Sequence, residues 1–403
     1  MNNRQLFLQH VAQTSPAPIG LEIVRAEGLY MWDADGKKYL DLISGFSVMN
    51  LGHGQAYIRQ AIHKQVDEYM HLLVYGEIIE SPQVQYAKKL TGFLPQRLDC
   101  VYFTNSGAEA TEGAMKLAKR VTGRGKIVSF NNAYHGSTQG ALSIMGGEYW
   151  RNAYRPLLPD VWHVEYNNRE AIGAIDERTA CVVMEVVQAE AGVCPAHYDW
   201  LHAIRKKCNE TGALLVFDEI QTGFGRTGTL WAFEQYSVVP DILLLGKALG
   251  GGLPLGAFVS SYKNMQTLTN NPVLGHISTF AGHPVSCAAG LAGFELLTDG
   301  AFLQGLKETV DSRALLFQSL LKHASIRAIR GKGLLMAIEF ANAEFCQAVC
   351  HVCIQKGAVT DWFLFAPHCL RIAPPLTITE GEVEWVCGVI NEAIKEVING
   401  GKK

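Results

Sequence analysis

The sequence lacks a strong charge of either sign, and it lacks any long apolar run. Its 403 residues carry 35 Lys and Arg against 38 Asp and Glu, a formal net charge of −3. This balance gives no electrostatic reason to expect nucleic acid or an anionic membrane as a partner. The longest apolar stretches, such as DILLLG and CVVMEVV, are far shorter than the roughly 20 residues of a membrane-spanning helix. We therefore expect no nucleic-acid partner and no membrane partner.

The first residues, MNNRQLFLQHVAQTSPAPIG, lack the cationic lead and continuous apolar stretch of a secretory signal. On this ground we expect a cytoplasmic location. Ten cysteines then predict reduced thiols rather than a disulfide framework. The cysteine-rich stretch EFCQAVCHVCIQKG alternates its thiols and His351 with apolar residues at helical spacing. This spacing favours a buried helix over a metal site, so we expect no metal.

The apolar segments predict an α/β protein. Short buried-strand patterns alternate with helical patterns, which is typical of a mostly parallel sheet covered on both faces. The chain is longer than the roughly 100 to 200 residues of one domain. We expect an N-terminal segment (1–54) that packs with the small domain, a large domain (55–290) and a small C-terminal α+β domain (291–403). The predicted strands of the sheet are DCVYFTN (99–105), KIVSF (126–130), CVVMEVV (181–187), ALLVF (213–217), DILLLG (241–246) and GAFVSS (256–261).

Reactive side chains follow nearly every predicted strand. In an open parallel sheet, ligands bind beyond the carboxyl ends of the strands. We therefore expect these side chains to lie together at one rim of the sheet. In chain order they are Asn105-Ser106-Gly107, Tyr134-His135-Gly136, Glu185 with Gln188 and Glu190, Asp218-Glu219, and Lys247.

The stretch TNSGAEATEGAMKLAKR (104–120) places Ser106 and Gly107 where a strand breaks into a helix. Free backbone N–H groups and the positive end of the helix dipole form an anion site there, which suits a phosphate. A plain Ser N-cap in a tight turn is the alternative. Farther along the same helix, Glu112 and Lys116 are spaced i,i+4, and we expect them to pair on its outer face.

Asp218 and Lys247 each end a buried apolar run. A buried carboxylate needs a cation or hydrogen-bond donors, so Asp218 fits either a structural ion pair or a partner that keeps a ligand's ring nitrogen protonated. Desolvation should lower the pKa of Lys247 and make its amine a nucleophile able to form a Schiff base, although a lysine at a strand end is more often simply solvated. A phosphate cradle, a ring-nitrogen carboxylate and a Schiff-base lysine together match pyridoxal 5′-phosphate (PLP), which we expect as the cofactor.

In these motifs the sequence resembles the class III (ω-type) PLP-dependent aminotransferases, such as acetylornithine, ornithine and 4-aminobutyrate aminotransferases. The resemblance covers essentially the whole chain and implies the aspartate aminotransferase fold (PLP fold type I). It also implies a homodimer with shared active sites. The implied reaction moves an amino group from an amino acid or ω-amine to a 2-oxo acid, 2-oxoglutarate or pyruvate, by a ping-pong mechanism. The motifs that carry the resemblance are TNSGAEATEGAMKLAKR, YHGSTQGALS, FDEIQTGFGRTG, DILLLGKALGGGLPLGA, STFAGHP and LRIAPPLTIT.

The resemblance implies roles for individual residues around the cofactor ring. Tyr134 and Ile220 would cover its two faces, and Gln221 would bind the phenolic oxygen. Asp218 would bind the ring nitrogen, while Lys247 would form the Schiff base and later act as general base. The whole set of implied cofactor-binding residues is Ser106, Gly107, Ala108, Tyr134, His135, Glu185, Asp218, Ile220, Gln221, Lys247 and, from the partner subunit, Thr279.

The implied substrate contacts are Phe46, Glu190 and Arg371. Arg371 would bind a substrate carboxylate, and Glu190 would pair with Arg371 when the substrate offers none. Two departures from the family pattern bear on the substrate: Ser137 stands where relatives carry an arginine, and EVVQAEAG (185–192) replaces the family's EPIQGEGG.

These departures argue against a strict ornithine enzyme, since a second carboxylate clamp is missing or rebuilt. The motif LRIAPPLTIT also resembles that of dialkylglycine decarboxylase. A decarboxylation-coupled transaminase is therefore one alternative. A catalytically silent PLP-binding protein and an unrelated phosphate-ligand binder are two others.

Overall fold

The computed structural model describes residues 2–74 and 76–400. Within these residues the chain forms twelve α-helices and sixteen β-strands. The helices are α1 (Asn3–His10), α2 (Ser44–Ser47, a single turn), α3 (Ala56–Glu68), α4 (Ser81–Thr91), α5 (Gly107–Thr122), α6 (Gln139–Ile144), α7 (Tyr198–Thr211), α8 (Tyr262–Met265), α9 (Pro284–Leu297), α10 (Gly300–Leu320), α11 (Ala343–Gln355) and α12 (Glu380–Gly400). The strands are β1 (Ile23–Glu27), β2 (Tyr30–Asp33), β3 (Lys38–Asp41), β4 (Cys100–Thr104), β5 (Lys126–Phe130), β6 (Val161–Val164), β7 (Thr179–Glu185), β8 (Val187–Gln188), β9 (Cys194–Pro195), β10 (Leu214–Asp218), β11 (Ile242–Leu245), β12 (Gly256–Ser260), β13 (Ala328–Lys332), β14 (Leu335–Glu339), β15 (Ala358–Val359) and β16 (Cys369–Ile372).

The largest sheet has seven strands in the order β4-β12-β11-β10-β7-β5-β6. The strands from β11 to β6 in this order are parallel, whereas β12 is antiparallel to both of its neighbours. β5, β7, β11 and β12 are buried along their whole length, because helices and loops cover both faces of the sheet. The predicted mostly parallel α/β sheet is confirmed. The predicted strand CVVMEVV is divided, since β7 ends at Glu185 and β8 begins at Val187.

Helix α5 packs closely against one face of this sheet. Its buried side chains are small or aliphatic, and they join a core cluster with β5, β7, β10, β11 and β12. At Gly113 a Cβ would lie 2.3 Å from the Phe258 ring, so only glycine permits this approach. The short distance between helix and sheet fixes where the first turn of α5 lies relative to the strand ends.

The expected pair between Glu112 and Lys116 on α5 is wrong. The Oε1 atom of Glu112 instead accepts hydrogen bonds from Thr138 Oγ1 at 2.7 Å and from the Gly140 backbone N–H at 2.8 Å, at the start of α6. Helix starts have unpaired N–H groups and favour a negative charge, so Glu112 meets a stronger partner there. The Nζ atom of Lys116 lies 2.9 Å from Nδ1 of His276.

The N-terminal strands pair with a strand from the C-terminal part of the chain. The sheet order is β1-β2-β3-β15, and β3 is parallel to β15. A second small sheet, β13-β14-β16, is antiparallel and includes Arg371 in β16. The division into segments 1–54, 55–290 and 291–403 stays a prediction. Among the described residues, no helix combines the length and the apolar character that crossing a bilayer requires.

Arg226 connects distant segments of the chain. Its fully buried guanidinium donates to the backbone oxygens of Leu334, at 3.0 Å, and Pro374. It also donates to Ser44 Oγ, at 3.1 Å, and to Asn50 Oδ1. Burial lowers the pKa of Arg226 to about 9, and all four acceptors are neutral oxygens. The residue therefore holds the turn at Ser44 against the segment that follows β16.

Replacing Arg226 with leucine should destabilise the protein. The substitution removes every guanidinium donor and takes a hydrogen bond from four buried oxygens, of which only Ser44 Oγ keeps another partner among the described residues, the Ala373 backbone oxygen; we expect this to lower the free energy of unfolding by about 3 kcal/mol. Urea unfolding followed by circular dichroism measures the change. The control is Arg169→Leu at an exposed position, for which we expect a change within about 0.5 kcal/mol. Equal effects of the two substitutions would contradict the role given to Arg226.

Candidate active site

A cavity of about 240 Å³ opens where the parallel strands of the large sheet end. The loops after β5, β10 and β11 line it, together with the end of β7 and the first turn of α5. Nine residues of the expected cofactor-binding set lie in its wall. They are Gly107, Ala108, Tyr134, His135, Glu185, Asp218, Ile220, Gln221 and Lys247.

Two expected residues, Ser106 and Thr279, are not in this wall. Ser106 is the N-cap of α5, and its Oγ accepts the Glu109 backbone N–H at 3.2 Å. Its side chain thus forms the plain helix cap that was one of the two interpretations of this motif. Thr279 lies in an exposed turn, which leaves its side chain accessible to another chain.

One end of the cavity has almost no side chains. A Cβ at Gly107 would lie 2.7 Å from Ile220 Cδ1, and a Cβ at Gly136 would lie 2.5 Å from the Cβ of Ala108. Gly136 also has a φ of 121°, a conformation that residues with side chains rarely adopt. The first turn of α5 therefore approaches Ile220 and the loop after β5 more closely than larger residues would allow.

Asp218 and His135 form a buried pair. Nδ1 of His135 lies 2.7 Å from Oδ2 of Asp218, and Oδ1 of Asp218 accepts the Ile220 backbone N–H at 3.0 Å. Burial alone would lower the pKa of His135, but the hydrogen bond and the charge of Asp218, with the charge of Glu185, raise it overall. Both carboxylate oxygens are held, so the orientation of Asp218 is fixed. The sequence placed His135 in the expected set without predicting that it holds Asp218.

Glu185 is a second buried carboxyl group in the wall. Oε1 accepts the Tyr134 backbone N–H at 3.2 Å, and Oε2 accepts the Ala189 backbone N–H at 2.9 Å. Burial, together with the charge of Asp218, raises the pKa of Glu185 to about 7 although the charge of His135 opposes the shift. Glu185 thus ties the loop that carries Tyr134 to the end of β7.

Lys247 lies where β11 gives way to a helical turn, with a φ of 50°. Its Nζ donates to Oε1 of Gln221 at 2.9 Å. Burial lowers the pKa of Lys247, while the charges of Glu190 and Asp218 oppose that shift. A lowered pKa increases the fraction of neutral amine, which is the nucleophilic form.

Arg371 lies between two carboxylates. Its Nη1 and Nη2 donate to Oε1 and Oε2 of Glu190 at 2.8 and 3.0 Å, and its Nε donates to Oδ1 of Asp361 at 2.8 Å. The ring centroids of Phe46 and Phe363 lie 5.0 and 4.2 Å from its guanidinium carbon. The sequence predicted Phe46, Glu190 and Arg371 as a group, and the structure brings them together. It missed Asp361, which lies in no motif.

Phe46 belongs to a backbone turn in an uncommon conformation. Ser44, Gly45, Phe46 and Ser47 have φ values of 47°, 59°, 60° and 67°, and three of these four residues carry side chains that disfavour this region. Oδ1 of Asp41 accepts the backbone N–H of Ser44 at 2.8 Å and helps to hold the turn. The turn places the Phe46 ring over the guanidinium of Arg371.

The residues present fit PLP. Among the described residues, Nε2 of His135 and Nε2 of Gln221 are buried side-chain atoms without a hydrogen-bond partner, and Gln221 lies in the cavity wall. Buried polar atoms are almost always paired in folded proteins, so an unpaired donor in a cavity indicates a ligand with an acceptor. A buried amine and a fixed carboxylate in the same wall supply the two other groups that the cofactor's aldehyde and ring nitrogen need.

Comparisons with known proteins agree with these features. The model of the family Aminotransferase class-III matches residues 11–394. The LysW-aminoadipate semialdehyde/glutamate semialdehyde transaminase of Sulfurisphaera tokodaii is 36% identical over 386 residues, which cover 94% of this chain and 96% of the relative. The acetylornithine aminotransferase of Archaeoglobus fulgidus is 37% identical, over 93% of this chain and 96% of the relative. The solved ornithine aminotransferase of Toxoplasma gondii has a TM-score of 0.90 and 28% identity, and the match covers 99% of this chain and 95% of that one.

Glu185 should make stability depend on pH. Its folded pKa of about 7 lies above the ordinary 4.5, so the stabilisation that its neutral form provides is complete below the unfolded pKa and is lost as pH rises through the folded one. We expect the difference in unfolding free energy between wild type and Glu185→Gln to fall from about pH 5 to about pH 8. Urea unfolding at the two pH values measures it.

Glutamine cannot accept both backbone N–H groups that Glu185 accepts. The loss of one hydrogen bond lowers stability at both pH values, so it cancels when the two differences in unfolding free energy are compared. The exposed substitution Glu177→Gln serves as the control and should show no such trend. A wild-type advantage that stayed constant or grew with pH would show that burial does not favour the neutral form of Glu185.

Proposed function

This chain belongs to the class-III aminotransferase family, and from that premise we propose which residues perform PLP-dependent transamination and which substrates they select. The protein is a PLP-dependent aminotransferase of fold type I. The relatives named above are transaminases, so a decarboxylation-coupled reaction and a silent PLP-binding protein are not favoured. The observation that carries the proposal is one cavity whose wall holds both the Lys247 amine and the Asp218 carboxylate.

We assign the ring of PLP to the central part of this cavity. Lys247 would hold the cofactor covalently through its amine, and Asp218 would bind the ring nitrogen. Gln221 would donate to the phenolic oxygen, for which its unpaired Nε2 supplies the hydrogen. Tyr134 and Ile220 would cover the two ring faces, since both lie in the wall.

We assign the phosphate to the first turn of α5, where Ser106, Gly107 and Ala108 begin the helix. The first N–H groups of a helix have no partner within it, and the helix dipole favours an anion at that end. Thr279 would reach the same phosphate from the partner subunit of a homodimer. The exposed apolar side chains of Ile277 and Phe280 beside it support a subunit interface at this turn.

When bound, PLP supplies an electrophilic carbon and a ring that withdraws electrons from the substrate carbon. Lys247 would act as the general base that takes a proton from the substrate carbon and as the acid that delivers it to the reactive carbon of the cofactor, because its lowered pKa makes both protonation states accessible. Asp218 keeps the proton on the ring nitrogen. His135 and the Ile220 backbone N–H hold Asp218 in place for this task.

We propose a primary amine as donor, on an amino acid or at the end of an ω-amine, and a 2-oxo acid such as 2-oxoglutarate or pyruvate as acceptor. The two would react in turn by a ping-pong mechanism. Arg371 and Glu190 would serve both substrates, because Glu190 pairs with Arg371 when the bound substrate has no carboxylate to offer. Ser137 in the wall provides no second cationic clamp. A cytoplasmic location is also part of the proposal.

Lys247 should carry the cofactor and the proton transfer. Reduction of the PLP-loaded protein with borohydride should leave a covalent label on the tryptic peptide that contains Lys247, read by mass spectrometry. Lys247→Ala should lower transamination by at least about 10³-fold, since both nucleophile and base are lost. The assay uses a panel of α- and ω-amino donors, N-acetylornithine included, with 2-oxoglutarate or pyruvate.

The control is Lys116→Ala, at an exposed lysine, which should keep wild-type labelling and activity. A label on another peptide would disprove the assignment, as would turnover by Lys247→Ala. Wild-type protein that transaminates no donor of the panel would disprove the proposed donor class.

Sharing of the active site between subunits is tested by mixed dimers. Thr279→Asp should inactivate the enzyme because the new carboxylate repels the cofactor phosphate. Lys247→Ala should also inactivate the enzyme, because it removes the nucleophile and the base. In a mixed dimer of the two variants, one site combines an intact Lys247 with the intact Thr279 of the partner subunit. Random pairing on co-expression should then restore about a quarter of wild-type activity. No recovery in mixed dimers isolated with two affinity tags would rule out a shared site.

A further inference from the structure

We propose that Asp361 weakens the binding of substrate carboxylates by Arg371, so that the site favours donors whose reacting end bears no carboxylate. This inference rests on the proposed function, in which Arg371 and Glu190 meet the substrate. It adds a residue that determines specificity and a class of donor: amines with an apolar or uncharged group in place of the carboxylate.

The geometry gives Arg371 two permanent partners instead of one. Its side chain is only 1% exposed, and it binds Glu190 through both terminal nitrogens and Asp361 through Nε. Nη2 also donates to the Trp362 backbone oxygen at 3.3 Å. Donors on every nitrogen of the guanidinium are thus engaged before any substrate arrives.

The two carboxylates differ in how they are held. The backbone N–H of Arg371 donates to the backbone oxygen of Asp361 at 2.9 Å, so Asp361 is tied to the strand that carries Arg371. Glu190 comes from a different segment, and the Leu364 backbone N–H holds its Oε2 at 2.9 Å. A substrate carboxylate that replaces Glu190 would therefore still find Asp361 on the guanidinium.

The charges of this cluster oppose a further anion. Burial raises the pKa of Asp361, although the charge of Arg371 opposes that shift. With both carboxyl groups ionised, the cluster has a net charge of −1, and a substrate carboxylate that enters while Glu190 stays nearby makes it −2. With a neutral residue at position 361 the same step would go from 0 to −1. Coulomb energies are large where water is scarce, and the Arg371 cluster is buried, so the additional negative charge should weaken carboxylate binding.

The surroundings do not compensate for this charge. The cavity wall contains no arginine among its described residues, His135 already pairs with Asp218, and the Lys247 amine, whose pKa is lowered by burial, donates to Gln221. Over Arg371 itself lie the rings of Phe46 and Phe363. A flat apolar face next to a neutralised guanidinium suits an alkyl or aryl group better than an anion.

Asp361→Asn is the isosteric test, because the Oδ1 of asparagine can still accept the Nε–H of Arg371. We expect KM for the 2-oxo acid acceptor to fall about tenfold. KM for a carboxylate-free donor such as butan-1-amine should stay within about twofold, and kcat should change little. Steady-state kinetics of the ping-pong reaction separate the two KM values.

A matched pair of inhibitors gives a second readout. Propanoate and propanamide have nearly the same shape and differ in charge, so the ratio of their competitive inhibition constants reports the charge preference of the site. On wild type, propanoate should bind less than about threefold more tightly than propanamide, and Asp361→Asn should increase its advantage about tenfold. The exposed substitution Asp67→Asn is the control and should change neither value.

If the role of Asp361 were purely structural, Asp361→Asn would change both KM values by a similar factor, or both inhibition constants by a similar factor. Either result would overturn the proposal. So would a higher acceptor KM in Asp361→Asn. If this variant does not fold, the wild-type inhibitor ratio decides, since propanoate bound about 100-fold more tightly than propanamide would refute a weakened Arg371. Failure of the proposed function looks different, because wild-type protein would then transfer no amino group from any donor.

Discussion

Burial of ionisable groups at the carboxyl ends of the parallel strands is the constraint on which the rest of this structure depends. The strands β7, β10 and β11 bring Glu185, Asp218 and Lys247 to one rim, where the two carboxyl groups are buried and the lysine is partly buried. Charged groups in such a place must find partners or change their protonation. The pairing of Asp218 with His135 and the raised pKa of Glu185 are responses to this constraint, and so is the lowered pKa of Lys247.

Much of this rim could be predicted from the sequence, because its signal is local. A buried strand is a short apolar run in the sequence, and the first polar residue after the run marks the end of the strand. The strands β5 and β11, and the side chains that follow them, could therefore be predicted from the sequence alone. Pairings between distant segments have no such signal. Glu112 is close to Lys116 along α5, yet the start of α6 supplies better donors.

The region around Arg371 was only partly predictable, for the same reason. The resemblance implied Phe46, Glu190 and Arg371 together as substrate contacts. The hydrogen bonds that hold these residues in place join segments that are distant in the sequence, and no sequence motif predicts them. Arg226 connects the Phe46 turn, through Ser44, to the segment that follows Arg371. A buried guanidinium with neutral acceptors tolerates few rearrangements, since a shift would break the hydrogen bonds of its two terminal nitrogens. The hydrogen bond from Arg226 to Ser44 thus helps to stabilise the unusual backbone of the turn, and the turn holds the ring of Phe46 over Arg371.

The same desolvation has opposite chemical results at the two buried cations of the site. An amine responds by losing its proton more easily, and burial accordingly lowers the pKa of Lys247 and favours its reactive neutral form. A guanidinium does not deprotonate in practice, so Arg371 keeps its charge, and two carboxylates compensate it. Glu190 and Asp361 outweigh the effect of burial and raise its pKa. Reactivity at one cation and recognition at the other therefore follow from a single physical condition, and the choice between lysine and arginine decides which of the two a buried position provides.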